Sequence, residues 1–208
     1  MSPVVFSQLT ILQPSIIKAL GYTAAEAQLL TIPPYALATI ITVIYAVLAE
    51  RYKRRCLFMI ISSLTAVIGY IILITNKSPT TNPAQSYVGT FLAAAGIYPA
   101  TALALSLPAT NVSGQTKRAT ACAMQITIGN LGAILGTQLY RTRTAPRYLL
   151  GQSFALGYVA ANVLVASAIW WVLHRENKRR EATGVEGHVE RYDEDWKGDE
   201  DLRWRYTV

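Results

Sequence analysis

The sequence predicts an all-α, polytopic membrane protein with six transmembrane helices, and three observations lead there. Hydrophobic residues make up 52% of the 208 and charged ones only 15%, well short of the charge an average soluble chain carries. The apolar residues come in runs of the roughly 20 that a helix needs to cross about 30 Å of hydrocarbon. The bases sit in short clusters between those runs, where charge flanking a membrane belongs.

The first run, 3–20, is the most polar, with Ser7, Gln8, Thr10, Gln13 and Pro14 inside it and Lys18 near its end. That content suits a helix lining a cavity better than one facing lipid. The second, 28–48, carries Pro33-Pro34-Tyr35 in its first third; membrane helices accept proline where a neighbour satisfies the freed carbonyl. A basic loop with Arg51, Lys53, Arg54 and Arg55 leads to the third, 57–75, the most uniformly apolar and expected to face lipid. Asn76-Lys77-Ser78 is a formal glycosylation sequon, expected to go unused because Pro79 follows it.

The fourth run, 87–107, is rich in small residues (Ala93-Ala94-Ala95-Gly96) and contains Tyr98-Pro99. Small residues let helices approach closely, and an internal proline bends them. A loop with Lys117 and Arg118 precedes the fifth, 119–140, which has no charge yet is interrupted by amides and glycines. At about 100° per residue, Gln125, Gly129, Gly132 and Gly136 share one side of that helix. Thr120, Thr127, Asn130, Thr137 and Gln138 share another, and Met124, Ile128, Leu131, Leu135 and Leu139 fill an apolar arc between them. The sixth run, 152–174, is again largely apolar and ends in Trp170-Trp171, placed as at a membrane interface.

Charge separates the chain into two parts. Residues 1–174 hold eleven Lys/Arg against Glu26 and Glu50, whereas 175–208 hold eight against ten acids. The second part, with alternating signs and no apolar periodicity, is expected to be a disordered cytoplasmic tail. Ten bases lie on the side of the 50–55 and 114–118 loops and the stretch after His174, and five on the other. The positive-inside rule puts the first side, and both ends, in the cytoplasm; Arg141, Arg143 and Arg147 oppose that assignment.

No run contains an Asp or Glu, and the histidines, His174 and His188, lie at or beyond the last one. Enzyme chemistry, an intramembrane metal and a cofactor are therefore not expected. Cys56 and Cys122 have no metal-ligand spacing and read as small buried residues. No module for reading nucleic acid accompanies the net charge of +7, so the expected surroundings are a lipid bilayer. What the runs offer is neutral polar groups, Gln8, Gln13, Tyr35, Tyr98, Gln125, Thr127 and Asn130. Each must meet a partner or water, as interhelical glue or as cavity lining. Gly129, Gly132, Gly136 and Pro99 read as packing or gating positions.

Leu20-Gly21-Tyr22-Thr23, the stretch Ala27 to Tyr35, Gly96-Ile97-Tyr98-Pro99, Gly114 to Arg141 and Ala145-Pro146-Arg147-Tyr148 with Gly151 carry a resemblance. With them, the chain resembles the C-terminal half of a major facilitator superfamily transporter, in the fungal anion:cation symporter branch of allantoate and high-affinity nicotinate permeases. The ending from Gly198-Asp199 to Arg205-Tyr206 is also similar to that family's endings. The resemblance implies one half of a twelve-helix fold, an N-terminal half absent from this chain, and symport of a small organic anion with a proton. It also implies that the polar residues line a cavity while the third and sixth runs face lipid. Two departures stand out. The superfamily loop signature survives only as an echo in Ala46, Glu50, Arg51, Lys53, Arg54 and Arg55, and Leu107 precedes Pro108 where relatives commonly have Trp. The expectation is a truncated transporter half; a six-span structural or adaptor protein is the alternative.

Overall fold

A computed structural model describes residues 24–76, 83–139, 149–183, 198–201 and 204–207. Among them every regular element is helical: a short α1 (Ala24–Leu29), then α2 (Ile32–Tyr52), α3 (Arg55–Thr75), α4 (Pro83–Asn111), α5 (Gln115–Leu139), α6 (Leu149–Ala182) and a 3-10 turn at Gly198–Glu200. The first expected span lies outside the described residues, and each of the other five overlaps one of the helices α2 to α6. α2, α3, α4 and α6 are long and apolar enough to cross a membrane. An all-α, multi-pass membrane architecture is therefore what the chain adopts.

The helices run on past their apolar cores, because charge stops hydrocarbon burial without stopping a helix. α6 has 34 residues, a rise of about 51 Å at 1.5 Å per residue, and its last turns are Arg- and Glu-rich. At the other extreme, α2 and α3 are joined through only Lys53 and Arg54. Lys53 takes the left-handed conformation (φ 53°) that reverses the chain in so little length. Arg55, opening α3, pairs there with Glu50 at the end of α2.

α4 is the central helix. It meets α3 along most of its length and also packs on α2 and α5, while α6 lies against α3. One cluster joins Ala38 of α2, Ala66, Tyr70 and Leu73 of α3, Ala93, Ala94 and Ile97 of α4, and Ala155 and Val159 of α6. A second, nearer the 50–55 turn, joins Ala49, Met59, Ala100, Leu103 and Ala166. So much alanine in a core means closely spaced backbones. At Gly96 the approach is very tight: a Cβ there would come within 2.5 Å of the Ser62 carbonyl oxygen and 2.7 Å of Ala66 Cβ. Gly69 faces α4 equally closely, its Cβ position 2.9 Å from both Ala93 Cα and the Gly89 carbonyl.

The third span does not simply face lipid. Ile61, Leu64, Ile68 and Ile71 of α3 are exposed, but Ser62, Ser63, Ala66, Gly69 and Tyr70 are buried. A uniformly apolar run conceals this division, since lipid and small-residue packing both accept apolar side chains. Asn76 of the sequon is 4% exposed and donates from Nδ2 to Ser86 Oγ at 2.9 Å. Its amide is thus engaged in joining α3 to α4.

Candidate functional site

Proline defines the chemistry of this bundle's polar groups. A proline has no N–H to give the carbonyl four residues earlier, and in hydrocarbon that carbonyl must find another donor. Pro108 lies inside α4 and leaves the Ala104 carbonyl without its helical partner. Gln125 of α5 fills the place, its Nε2 donating to Ala104 O at 2.9 Å. Since only the NH2 end of the amide can donate, the orientation of Gln125 is fixed, and its Oε1 is buried with no partner among the described residues. A second interhelical bond stands at the start of α2, where Pro33 and Pro34 occupy the first turn: the Leu30 carbonyl just before it accepts from Tyr87 Oη of α4 at 3.0 Å.

Around this contact α5 divides into sides. Gln125 is half-buried and Gly129 buried, whereas Thr120, Thr127 and Asn130 are exposed. So are Met124, Ile128 and Leu131 on the apolar arc. Thr127 returns its hydroxyl hydrogen to Ala123 O at 2.9 Å, which satisfies it within the helix. Asn130 is thus an amide that α5 presents outward within its uncharged stretch. Gly132 and Gly136 continue the same helix, and Gln8 and Gln13 lie outside the described residues.

Tyr35 and Tyr98 are brought together. Their rings, from α2 and α4, pack edge to face with centroids 5.8 Å apart, and both are half-buried. Pro99, next to Tyr98, is fully buried. The pair lies beside the first apolar cluster, which Tyr98 covers, and away from Gln125. Among the described residues, the candidate polar side chains thus occupy two places, a tyrosine pair between α2 and α4 and an amide seam between α4 and α5.

The basic residues gather at the end where α2, α4 and α6 finish. Arg51 and Arg54 are exposed. Arg118 donates from Nε to Val112 O at 3.2 Å, closing the turn between α4 and α5. Lys117 Nζ reaches both carboxylate oxygens of Asp199 at 2.8 Å. That hydrogen bond holds the Lys117 ammonium above its usual range. The tail expected to be disordered is, in its described part, docked here. Composition registers charge and misses pairing, so it does not mark Asn111, Asn177 and Arg180 as the residues that hold this segment. Tyr87 and Gly69 also escaped notice. For Gly69 a signal existed, the stripe Ser62, Ala66, Gly69 of small residues in a helix otherwise built from large ones.

No protein-family profile matches the chain, and no solved structure does. Curated proteins do. An uncharacterized transporter of Schizosaccharomyces pombe is 34% identical over 177 residues, which is 85% of this chain and 35% of that protein. An MFS-type transporter of Penicillium expansum is 33% identical over 169 residues, 80% of this chain and 33% of its own length. The chain's relatives are transporters, several of them MFS-type. Among them is a high-affinity nicotinic acid transporter of Saccharomyces cerevisiae, 29% identical over 174 residues, 84% of this chain and 32% of that transporter. The chain spans about a third of the length of these relatives. The matched stretch includes enough of the chain to take in most of α2 to α6.

Proposed function

We propose that this chain forms the C-terminal, six-helix half of a major facilitator transporter of the fungal anion:cation symporter branch. Its cargo is a small organic anion of the nicotinate or allantoate kind, carried together with a proton, and the chain is not an enzyme. The similarity to transporters over some four-fifths of the chain, one of them a nicotinic acid transporter, carries this reading. Substrate sites of such folds lie between two repeats, so an N-terminal half is the partner that would complete the path. The proton-accepting acid would sit in that half, because the apolar stretches here hold no carboxylate. Both chain ends, and with them Arg51, Arg54, Arg55, Lys117 and Arg118, face the cytoplasm from the plasma membrane. Gln8, Gln13, Tyr35, Tyr98 and Asn130 line the path, and Gly129, Gly132 and Gly136 with Pro99 let α4 and α5 move against their neighbours.

One observation favours the second reading, a structural or adaptor protein: Gln125 is occupied in joining helices. Asn130 separates the two. In a background carrying Cys122→Ala, Asn130→Cys is expected to react with a membrane-impermeant thiol reagent in sealed cells. Nicotinate or allantoate in the medium should slow that reaction. Inertness of Asn130→Cys, or labelling that no organic anion slows, would overturn its place in a transport path.

A further inference from the structure

The described part of the charged tail, 198–201 and 204–207, makes a dense set of contacts with the basic end of the bundle. Arg180, near the end of α6, is 7% exposed although charged. Its Nη1 donates to the carbonyl oxygens of Asp199, Asp201 and Trp204 at 3.2, 3.0 and 3.2 Å. Nη2 donates to Tyr206 Oη at 3.2 Å, and Nε to Glu176 Oε1 at 3.0 Å. The guanidinium also lies over the Tyr206 ring, 4.8 Å from its centroid.

Two asparagines read the backbone of the same segment. Asn177 donates from Nδ2 to Tyr206 O at 2.8 Å and accepts at Oδ1 from Tyr206 N at 2.9 Å. Asn111, at the end of α4, does the same for Thr207, donating to its carbonyl at 3.1 Å and accepting from its N–H at 2.8 Å. Each side-chain amide therefore stands in for a strand partner, pairing with both polar groups of one residue. Thr207 Oγ1 further meets Thr110 Oγ1 at 3.2 Å, and Asp199 pairs with Lys117. Gly198 adopts φ +71° with its Cβ position 3.0 Å from Ser113 Oγ, so the segment turns against the α4–α5 junction in a backbone conformation that favours glycine.

A charged side chain is buried only when its donors are matched. Arg180 has its donors matched by the segment and by Glu176 alone, and without the segment three carbonyl acceptors and a ring would be lost together. α5 otherwise has only slight contact with α4 and α6, so the docked segment is what ties the start of α5 to the end of α6. We propose that Asn111, Lys117, Asn177 and Arg180 form an intramolecular binding site for the described tail stretches 198–201 and 204–207. The docked peptide is a latch that makes the α4–α5 junction and the end of α6 one body. The latch is independent of what the chain transports.

The test uses Thr110→Cys with Thr207→Cys in a background carrying Cys56→Ala and Cys122→Ala, in native membranes under a mild oxidant. Docking predicts rapid formation of the intramolecular disulfide. Adding Tyr206→Ala, a change within the peptide that leaves the bundle untouched, should slow it by about tenfold, since the peptide then reaches Thr110 only at the effective concentration of a loose tether. Arg180→Lys should slow it similarly, because an ammonium keeps the charge but cannot span these acceptors. A disulfide that forms at one rate in all three proteins, or in none of them, would overturn the latch.

Discussion

Leucine in place of Gly96 is expected to force α3 and α4 apart and to remove most of the folded protein in detergent. The groups its Cβ would meet are the Ser62 carbonyl oxygen at 2.5 Å and Ala66 Cβ at 2.7 Å. Neither lies at the free end of a flexible chain. Relief therefore requires one helix to move as a whole, which would open both apolar clusters, since each draws on α3 and α4. Inserting groups into a packed core typically costs about 1–3 kcal/mol and occasionally more; this site belongs at the upper end or beyond. Gly89→Ala is the milder comparison, because the nearest atom to its Cβ is the adjustable Leu73 Cγ at 3.0 Å. Thermal melting in detergent distinguishes the two. Equal melting temperatures for Gly96→Leu and the parent would mean that α3 and α4 do not meet as described.

The second large effect is expected at Gln125. Gln125→Leu keeps the bulk but leaves the Ala104 carbonyl in hydrocarbon with no donor from α5. Losing one partner of a buried bond costs about 1–3 kcal/mol. Interhelical pairs in membranes lie toward the low end, with values up to about 1.7 kcal/mol, so about 1–2 kcal/mol is expected. The diagnostic result comes from the second background. Pro108→Ala restores an N–H four residues beyond Ala104, and the carbonyl regains a donor of its own. Gln125→Leu should then cost less than half as much, and a double-mutant cycle read by detergent unfolding measures the difference. The same cost in both backgrounds would mean that Gln125 does something other than replace the missing donor.

These two cases also mark how far the sequence could be read. Apolar runs revealed where α2, α3, α4, α5 and α6 lie, because hydrocarbon imposes a minimum length that few soluble patterns imitate. They revealed the ends less well: α6 continues to Ala182 and α4 to Asn111, beyond the spans at 174 and 107, since Arg, Lys and Glu support a helix outside the bilayer. The amides were legible as glue or lining, but which one depends on a neighbour. Gln125 meets the carbonyl of Ala104, 21 positions away, and no periodicity within α5 encodes that. The close glycines proved to include Gly96, in a conspicuous small-residue run, and Gly69, hidden in the most apolar helix. The docking of 198–201 and 204–207 was least legible. Alternating charge describes a segment unable to form its own core, and such a segment can still be held by a few well-placed amides and one arginine.

The great length of α6 has a consequence for how the protein responds to its medium. With about 51 Å of helix against about 30 Å of hydrocarbon, the turns bearing Asn177 and Arg180 project into the headgroups and water. Dissolved ions can screen the Lys117–Asp199 pair there, within a Debye length of about 8 Å at physiological ionic strength. They cannot reach the contact between Gly96 and Ser62. Raising the salt concentration should therefore loosen the outer seam and leave the inner one intact. The molecule would then come apart in two stages, its water-facing end first.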